Sequence, residues 1–145
     1  MQRRRALAAA GALGAAGFLP AAAQAFNQRA FDARTLQEAV RALGGSGLAE
    51  SKDVSIQGPE IAENGAVVPV SLATTLPGIK LLALMAPKNP NTLVASFGVN
   101  EFVEPAFTTR VKLAETMDVY AVAIAQDGKA WFAKRPIQVT LGGCG

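Results

Sequence analysis

From Asp53 onward the chain alternates apolar and polar residues with a period of two, in short runs separated by turn residues. No feature restricts the fold more, because a period of two places one set of side chains on one face of a strand and the rest on the other. The runs are Val54–Gln57, Val67–Ala73, Lys80–Ala86, Leu93–Val99, Phe107–Leu113, Val119–Gln126 and Ala130–Leu141. Asn64-Gly65 and Asp127-Gly128 suit hairpin turns, since Asn, Asp and Gly tolerate the backbone such turns need. Pro77-Gly78 and "PKNPN" mark looser connections. About seven short strands at this spacing predict an all-β fold, an immunoglobulin-like antiparallel β-sandwich.

The alternation also says which faces are wet. In "TTRVKLAE", Thr109, Val111 and Leu113 oppose Arg110, Lys112 and Ala114. In the last run, Trp131, Ala133, Arg135, Ile137, Val139 and Leu141 share an inward parity, broken only at Arg135. Pro136 beside that break predicts a bulge or an edge, and Pro69 predicts that its strand is an edge or starts late, since proline donates nothing to a ladder. "LLALMA" is apolar on both parities. It reads as a central strand or as one covered on its outer face, and a protein partner is one candidate cover.

Before Asp53 the period is that of a helix. "NQRAFDARTLQEAVRALGGSG" predicts one short amphipathic helix, with Thr35 and Glu38 in capping-box spacing, Leu36, Val40 and Leu43 on one face, and Gly44-Gly45 as its stop.

The first 25 residues have a different character. Arg3, Arg4 and Arg5 precede an Ala/Gly/Leu run that ends in Ala23-Gln24-Ala25. This is the anatomy of a secretory signal cleaved after Ala25, and the arginine pair before a weakly apolar stretch points to the twin-arginine route. The run is dominated by Ala and Gly, whereas a retained anchor needs about 20 predominantly apolar residues. The expected organisation is a signal over 1–25, a helical segment over 26–50, a sandwich over 51–141 and an arm over 142–145. Removing the signal removes three of the 14 basic residues and no acidic ones, leaving 11 basic against 11 acidic. A near-neutral mature chain offers no basic surface for nucleic acid or for an anionic membrane.

Several chemistries are excluded by composition. The sequence contains no histidine and one cysteine, Cys144. There is thus no Ser-His-Asp triad, no Cys-His pair and no His-ligated metal. Glu101 and Glu104 flank "EFVEP", which reads as a solvated loop, and no glycine-rich phosphate cradle follows a strand. The chain is expected not to be an enzyme by itself.

The terminus is the one place where a reactive group stands out. Gly142, Gly143 and Gly145 flank Cys144. Glycine lacks Cβ, so Gly142-Gly143 is both a swivel and the thinnest possible stem for entering a narrow site. Thiolates attack and bond to sulfur readily. A small inorganic sulfur species held on such an arm is recognised through its protein, at an effective concentration on the order of millimolar near a docked enzyme. An exported structural or assembly module whose lone cysteine crosslinks two chains is the alternative reading of the same residues.

The segments "LQEAVRALGG", "AENGAVVPVSL", "PKNPNTLVASF", "TTRVK" and "VTLGGCG", in this order, resemble the SoxY family, the sulfur-carrier subunit of the bacterial Sox thiosulfate-oxidising system. Members usually end in Gly-Gly-Cys-Gly-Gly, and here one glycine follows Cys144. The resemblance implies export to the periplasm and a heterodimer with a second β-sandwich subunit, SoxZ. It implies that Cys144 carries the sulfur covalently. A haem protein, SoxXA, is then expected to join thiosulfate to it, a manganese hydrolase, SoxB, to release sulfate, and a molybdenum/haem dehydrogenase, SoxCD, to oxidise the remaining sulfane. On this reading all of these cofactors belong to partners, and the chain itself binds none.

Overall fold

The structure, a computed structural model, describes residues 28–140. Residues 28–32 form a helical turn, α1, and Leu36–Ala42 a second helix, α2. Nine strands follow: β1 (Ser46–Glu50), β2 (Val54–Gln57), β3 (Ile61–Ala62), β4 (Val68–Thr74), β5 (Ile79–Met85), β6 (Leu93–Gly98), β7 (Ala106–Val111), β8 (Met117–Ala125) and β9 (Lys129–Val139). One sheet has the order β1-β9-β8-β5-β6, with β3 also on β9; the other has the order β2-β4-β7.

The sandwich forms because the inward parities of both sheets are apolar. Val54, Val68, Val70 and Leu72 from the small sheet meet Leu82, Leu84, Val119, Ala121, Ala123 and Ile137 from the large one. Burying this set is the main driving force for the fold. The inward parity of β9 holds: Ile137 and Val139 are buried, and Trp131, Ala133 and Arg135 are half-buried. Arg135 resolves its own misfit, because its Nε donates to the Gly58 carbonyl at 2.7 Å.

Several sequence expectations change. The helical stretch is two pieces, because Thr35 is extended (φ −125°, ψ 159°) and caps α2 by accepting from the Glu38 N–H at 3.1 Å. The Glu38 carboxylate reaches back to the Arg34 N–H at 3.0 Å, so the capping-box residues start a new helix within the segment. The stop is as read: Gly44 (φ 88°) and Gly45 donate to the Arg41 and Val40 carbonyls, a Schellman closure. Residues 46–50, placed by sequence in the helical segment, form the edge strand β1, whose exposure pattern has no alternation to reveal it.

The sandwich is also not purely antiparallel. β1 pairs with the first half of β9 and β3 with its end, both parallel. Pro136 falls in the gap between them. The Gln138 and Thr140 N–H groups bond outward to Glu60 and Ala62, so by the two-residue period the Pro136 nitrogen faces that gap, where no donor is needed. It occupies an edge position without a bulge, as the β8–β9 register is unbroken. Pro69 lies in a central strand, yet β2 spans only Ser71–Thr74 of β4. Pro69 lies where β4 has run past its neighbour, and its strand begins at Val68, one residue later than expected.

Asp127-Gly128 closes the β8–β9 hairpin: Gly128 has φ 91°, and the Lys129 N–H donates to Asp127 Oδ1 at 3.0 Å. Asn64-Gly65 instead carries the chain from the large sheet to the small one, so it is a crossing turn. The doubly apolar β5 is central in its sheet, and the chain covers its outer face itself. Ala83 and Met85 pack with Val122, Ile124, Ala130 and with Ala30, Ala39, Val40 and Leu43 of the helical segment. No partner is required to bury this strand.

Candidate functional site

The signal residues Arg3, Arg4, Arg5 and Ala25 and the arm residues Gly142, Gly143, Cys144 and Gly145 lie outside the described residues. What the structure places is the root of the arm, and it is held firmly. The Gln138 N–H donates to Glu60 O at 3.0 Å and the Thr140 N–H to Ala62 O at 3.2 Å. Thr140 Oγ1 donates to Glu63 O at 3.3 Å. From the other side, Thr116 Oγ1 accepts from the Val139 N–H at 2.9 Å and lies 3.4 Å from the Val139 carbonyl.

These bonds make a latch. β9 enters it with Ile137 fully buried and Val139 nearly so, so the chain up to Thr140 is fixed by core packing and by hydrogen bonds on both flanks. Cys144 comes four residues later. An extended chain spans at most ~3.6 Å per residue, so Cys144 stays within ~14 Å of Thr140.

The surroundings of the root are exposed and mixed. Ile61, which pairs with Gln138, is a large apolar side chain left 51% exposed beside it. A groove of about 580 Å³ runs over the ends of β8 and β9, lined among others by the apolar Pro87, Tyr120 and Pro136 and by the polar Glu60, Asp118 and Gln138. Lys88 also lines it but faces Glu115 at 3.9 Å, with both side chains well exposed. Among the described residues no group of His, Cys, Asp and Glu is positioned to hold a metal ion, and no helix is long and apolar enough to cross a membrane.

Glu101 and Glu104 lie in an exposed loop with Phe102, at the far end of the sandwich from the root. Thr116 and the two groove carboxylates had no sequence signal: each is a single polar residue in a connecting segment or at a strand end. Only the register of β9 against β3 and β8 shows that they lie around the root of the arm.

Comparison with known proteins identifies the family. The model of the SoxY family, "sulfur oxidation protein SoxY", matches residues 39–144 and so includes Cys144. The solved structure of the sulfur carrier protein SoxY from Chlorobium limicola f thiosulfatophilum is 39% identical. It aligns with a TM-score of 0.67, covering 74% of this chain and 97% of that one. Two superoxide reductase folds also align, at lower identity. A neelaredoxin from Ignicoccus hospitalis gives TM-score 0.52 at 19% identity, covering 60% of this chain and 80% of that one. A putative superoxide reductase from Thermotoga maritima gives 0.53 at 17%, covering 63% and 92%. At such identities they show a shared sandwich and nothing about chemistry. No curated protein matches. The family match over most of the chain, together with the Chlorobium structure, establishes that this chain belongs to the SoxY family of sulfur oxidation proteins.

Proposed function

We infer that this protein is a periplasmic sulfur carrier of thiosulfate oxidation, holding sulfur intermediates covalently on Cys144 and presenting them to separate enzymes. The observation that carries this reading is the SoxY match, which runs through Cys144. The latch supports it, since a firmly held root with a short reach beyond it suits delivery of cargo to a docked catalyst.

The chemistry is simple to balance. The Cys144 thiolate and thiosulfate join through a new S–S bond, giving an S-thiosulfonate of single negative charge and releasing two electrons. A SoxXA-like haem protein takes these electrons. Water then attacks the terminal sulfonate sulfur in a SoxB-like hydrolase, yielding sulfate, two protons and a persulfide anion on Cys144. A SoxCD-like dehydrogenase oxidises that sulfane where it is present. Turnover resides in these partners, and the manganese, molybdenum and haem are theirs. The carrier contributes a nucleophile, a tether and a docking surface, and it works as a heterodimer with a SoxZ-like subunit.

The test is to incubate the carrier with the haem partner and thiosulfate and to measure the mass of its C-terminal peptide. One thiosulfate added to the wild type and none to Cys144→Ser is the expected result. An obligatory disulfide-linked dimer as the working form, or an adduct that persists in Cys144→Ser, would overturn the reading.

A further inference from the structure

β6 and β7 are the last strands of the large and the small sheet, and the chain runs directly from one to the other. They form one flank of the sandwich. Phe97 of β6 and Phe107 of β7 stack across it with ring centroids 4.4 Å apart and planes 8° apart, and both rings stay half-buried at the margin of the core. The connecting turn holds Phe102 88% exposed. That turn is fixed, because the Phe102 N–H donates to Asn100 Oδ1 at 2.8 Å and the Val103 N–H to the Asn100 carbonyl at 3.1 Å.

The edge of β6 is bare. The Val99 N–H donates to the Lys80 carbonyl at 2.9 Å, and Phe97 and Ala95 stand opposite Leu82 and Leu84. By the two-residue period of an antiparallel ladder these residues bond to β5, and Ser96 and Gly98 turn their N–H and C=O groups to the free side. Among the described residues nothing bonds to those groups. Their side chains do not shield them: serine is small, and a Cβ at Gly98 would meet nothing within 4 Å. Sheet edges are ordinarily guarded by charge, proline, a bulge or shortness. β1 has a register shift, Gly47 at φ 61° and Glu50 at its end. β2 has four residues and β3 two. β7 carries Arg110, and its Ala106 N–H is taken by the Glu104 carbonyl at 2.8 Å. β6 is bulged at Val94, but residues 95–98 have none of these guards.

Such an edge takes an extended strand, and the flank says which kind. A strand laid along β6 puts one parity beside Ser96 and Gly98 on the outer face and the other beside Phe97 on the core side. The second parity has to be apolar, which is the pattern of an edge strand from another sandwich. Position says which chain brings it. β6 lies three strands from β9, roughly 14 Å at ~4.8 Å per strand, and the Phe102 turn is at the far end from the arm root. Enzymes that act on the arm have to come to its root, whereas a subunit on this flank leaves the root clear. A second copy fits poorly. Pairing β6 with itself so that Ser96 meets Gly98 brings Phe102 opposite Thr92, where Thr92 and Leu93 are already buried by their own chain, and that ring stays uncovered.

Resting on the carrier reading, we propose that the free edge of β6 is where the carrier's β-sandwich partner subunit joins it. The partner adds an edge strand that continues the large sheet and covers Phe97, Phe107 and Phe102.

The experiment mixes the full carrier with the separately purified SoxZ-like subunit and follows amide exchange in the free and joined states. With the subunit at a hundred times its Kd, the Ser96 and Gly98 amides should exchange about a hundredfold more slowly, while those of β1 on the opposite edge stay unchanged. Ser96→Pro removes an outward donor and leaves the bonds to β5 in place, as an edge strand allows. Its Kd should rise about tenfold, and Ser96→Thr, which keeps the donor, should bind as wild type does. Loading of Cys144 is measured in parallel, so that failure of the carrier reading shows separately as a missing adduct. Unprotected Ser96 and Gly98 amides in the joined state, wild-type affinity in Ser96→Pro, or no binding of the subunit at all overturns the proposal. So does protection in the free carrier that grows with its concentration, since the edge would then pair with a second copy.

Discussion

Replacing Arg135 by alanine tests how the end of the sandwich that holds the arm is closed. Between Phe132, where β1 stops pairing, and Gln138, where β3 begins, the outer edge of β9 has no neighbouring strand. Over this gap the chain crosses from β2 in the small sheet to β3 in the large one, through Gly58. The Arg135 Nε–H on the Gly58 carbonyl at 2.7 Å is the hydrogen bond that holds the crossing to β9 before β3 begins. A hydrogen bond with a charged donor contributes about 1.5–3 kcal/mol, and partial exposure of Arg135 puts the loss at the lower end, about 1.5–2 kcal/mol. For a domain of this size that is a fall in Tm of roughly 8 °C. Arg135→Lys should not restore it, because an ammonium on a longer flexible stem does not reproduce the fixed Nε donor. Calorimetry gives the global loss. Hydrogen exchange gives the local one, with the Gln138 and Thr140 amides, which bond to the far end of the same crossing, expected to exchange faster than those of β8. A destabilisation below about 0.5 kcal/mol, or protection at Gln138 and Thr140 equal to wild type, would refute the idea that this side chain anchors the arm's footing.

Other outcomes follow from neighbouring contacts. Thr116→Val keeps the side-chain shape but removes the hydroxyl on Val139, and at about 1 kcal/mol it should speed exchange of the Val139 amide roughly fivefold without unfolding the domain; unchanged exchange would show that Thr116 does not latch the arm. A Cβ at Gly45 would lie 2.8 Å from Val40 Cγ1 and 3.2 Å from the Ile124 Cδ1 methyl, so Gly45→Ala should cost about 1–3 kcal/mol. Gly98→Ala faces open space and should change the melting midpoint little, and equal effects at the two sites would contradict this packing. Gly142→Val or Gly143→Val should leave Tm unchanged yet lower turnover with partner enzymes, and full turnover with every partner would remove the case for a thin stem.

The sandwich was legible because alternation survives wherever one strand face is wet. All seven runs are strands in the structure, shifted by at most two residues at most ends. What alternation could not show were strands defined by pairing alone. β1 is exposed almost throughout and β3 has two residues, and both exist because β9 offers an open edge. Pro69 and Pro136 were read correctly as unable to donate, but whether that made an edge strand or a gap beside a longer strand depended on where the neighbours stopped. The two-faced apolar strand was legible as needing two covers. Its second cover turned out to be the chain's own helical segment, whose Ala30, Ala39, Val40 and Leu43 complete the layer. For the site, the glycine-flanked cysteine announced itself in one dimension. The latch and the groove did not, because Glu60, Thr116 and Asp118 come together only through the register of three strands.

The most direct test of the account is the intact mass of the protein isolated from cells growing on thiosulfate. A sulfur-bearing adduct located on Cys144, absent from Cys144→Ser and accompanied by loss of thiosulfate oxidation in that strain, is the predicted result. Cells that oxidise thiosulfate at the wild-type rate with serine at position 144 would contradict it.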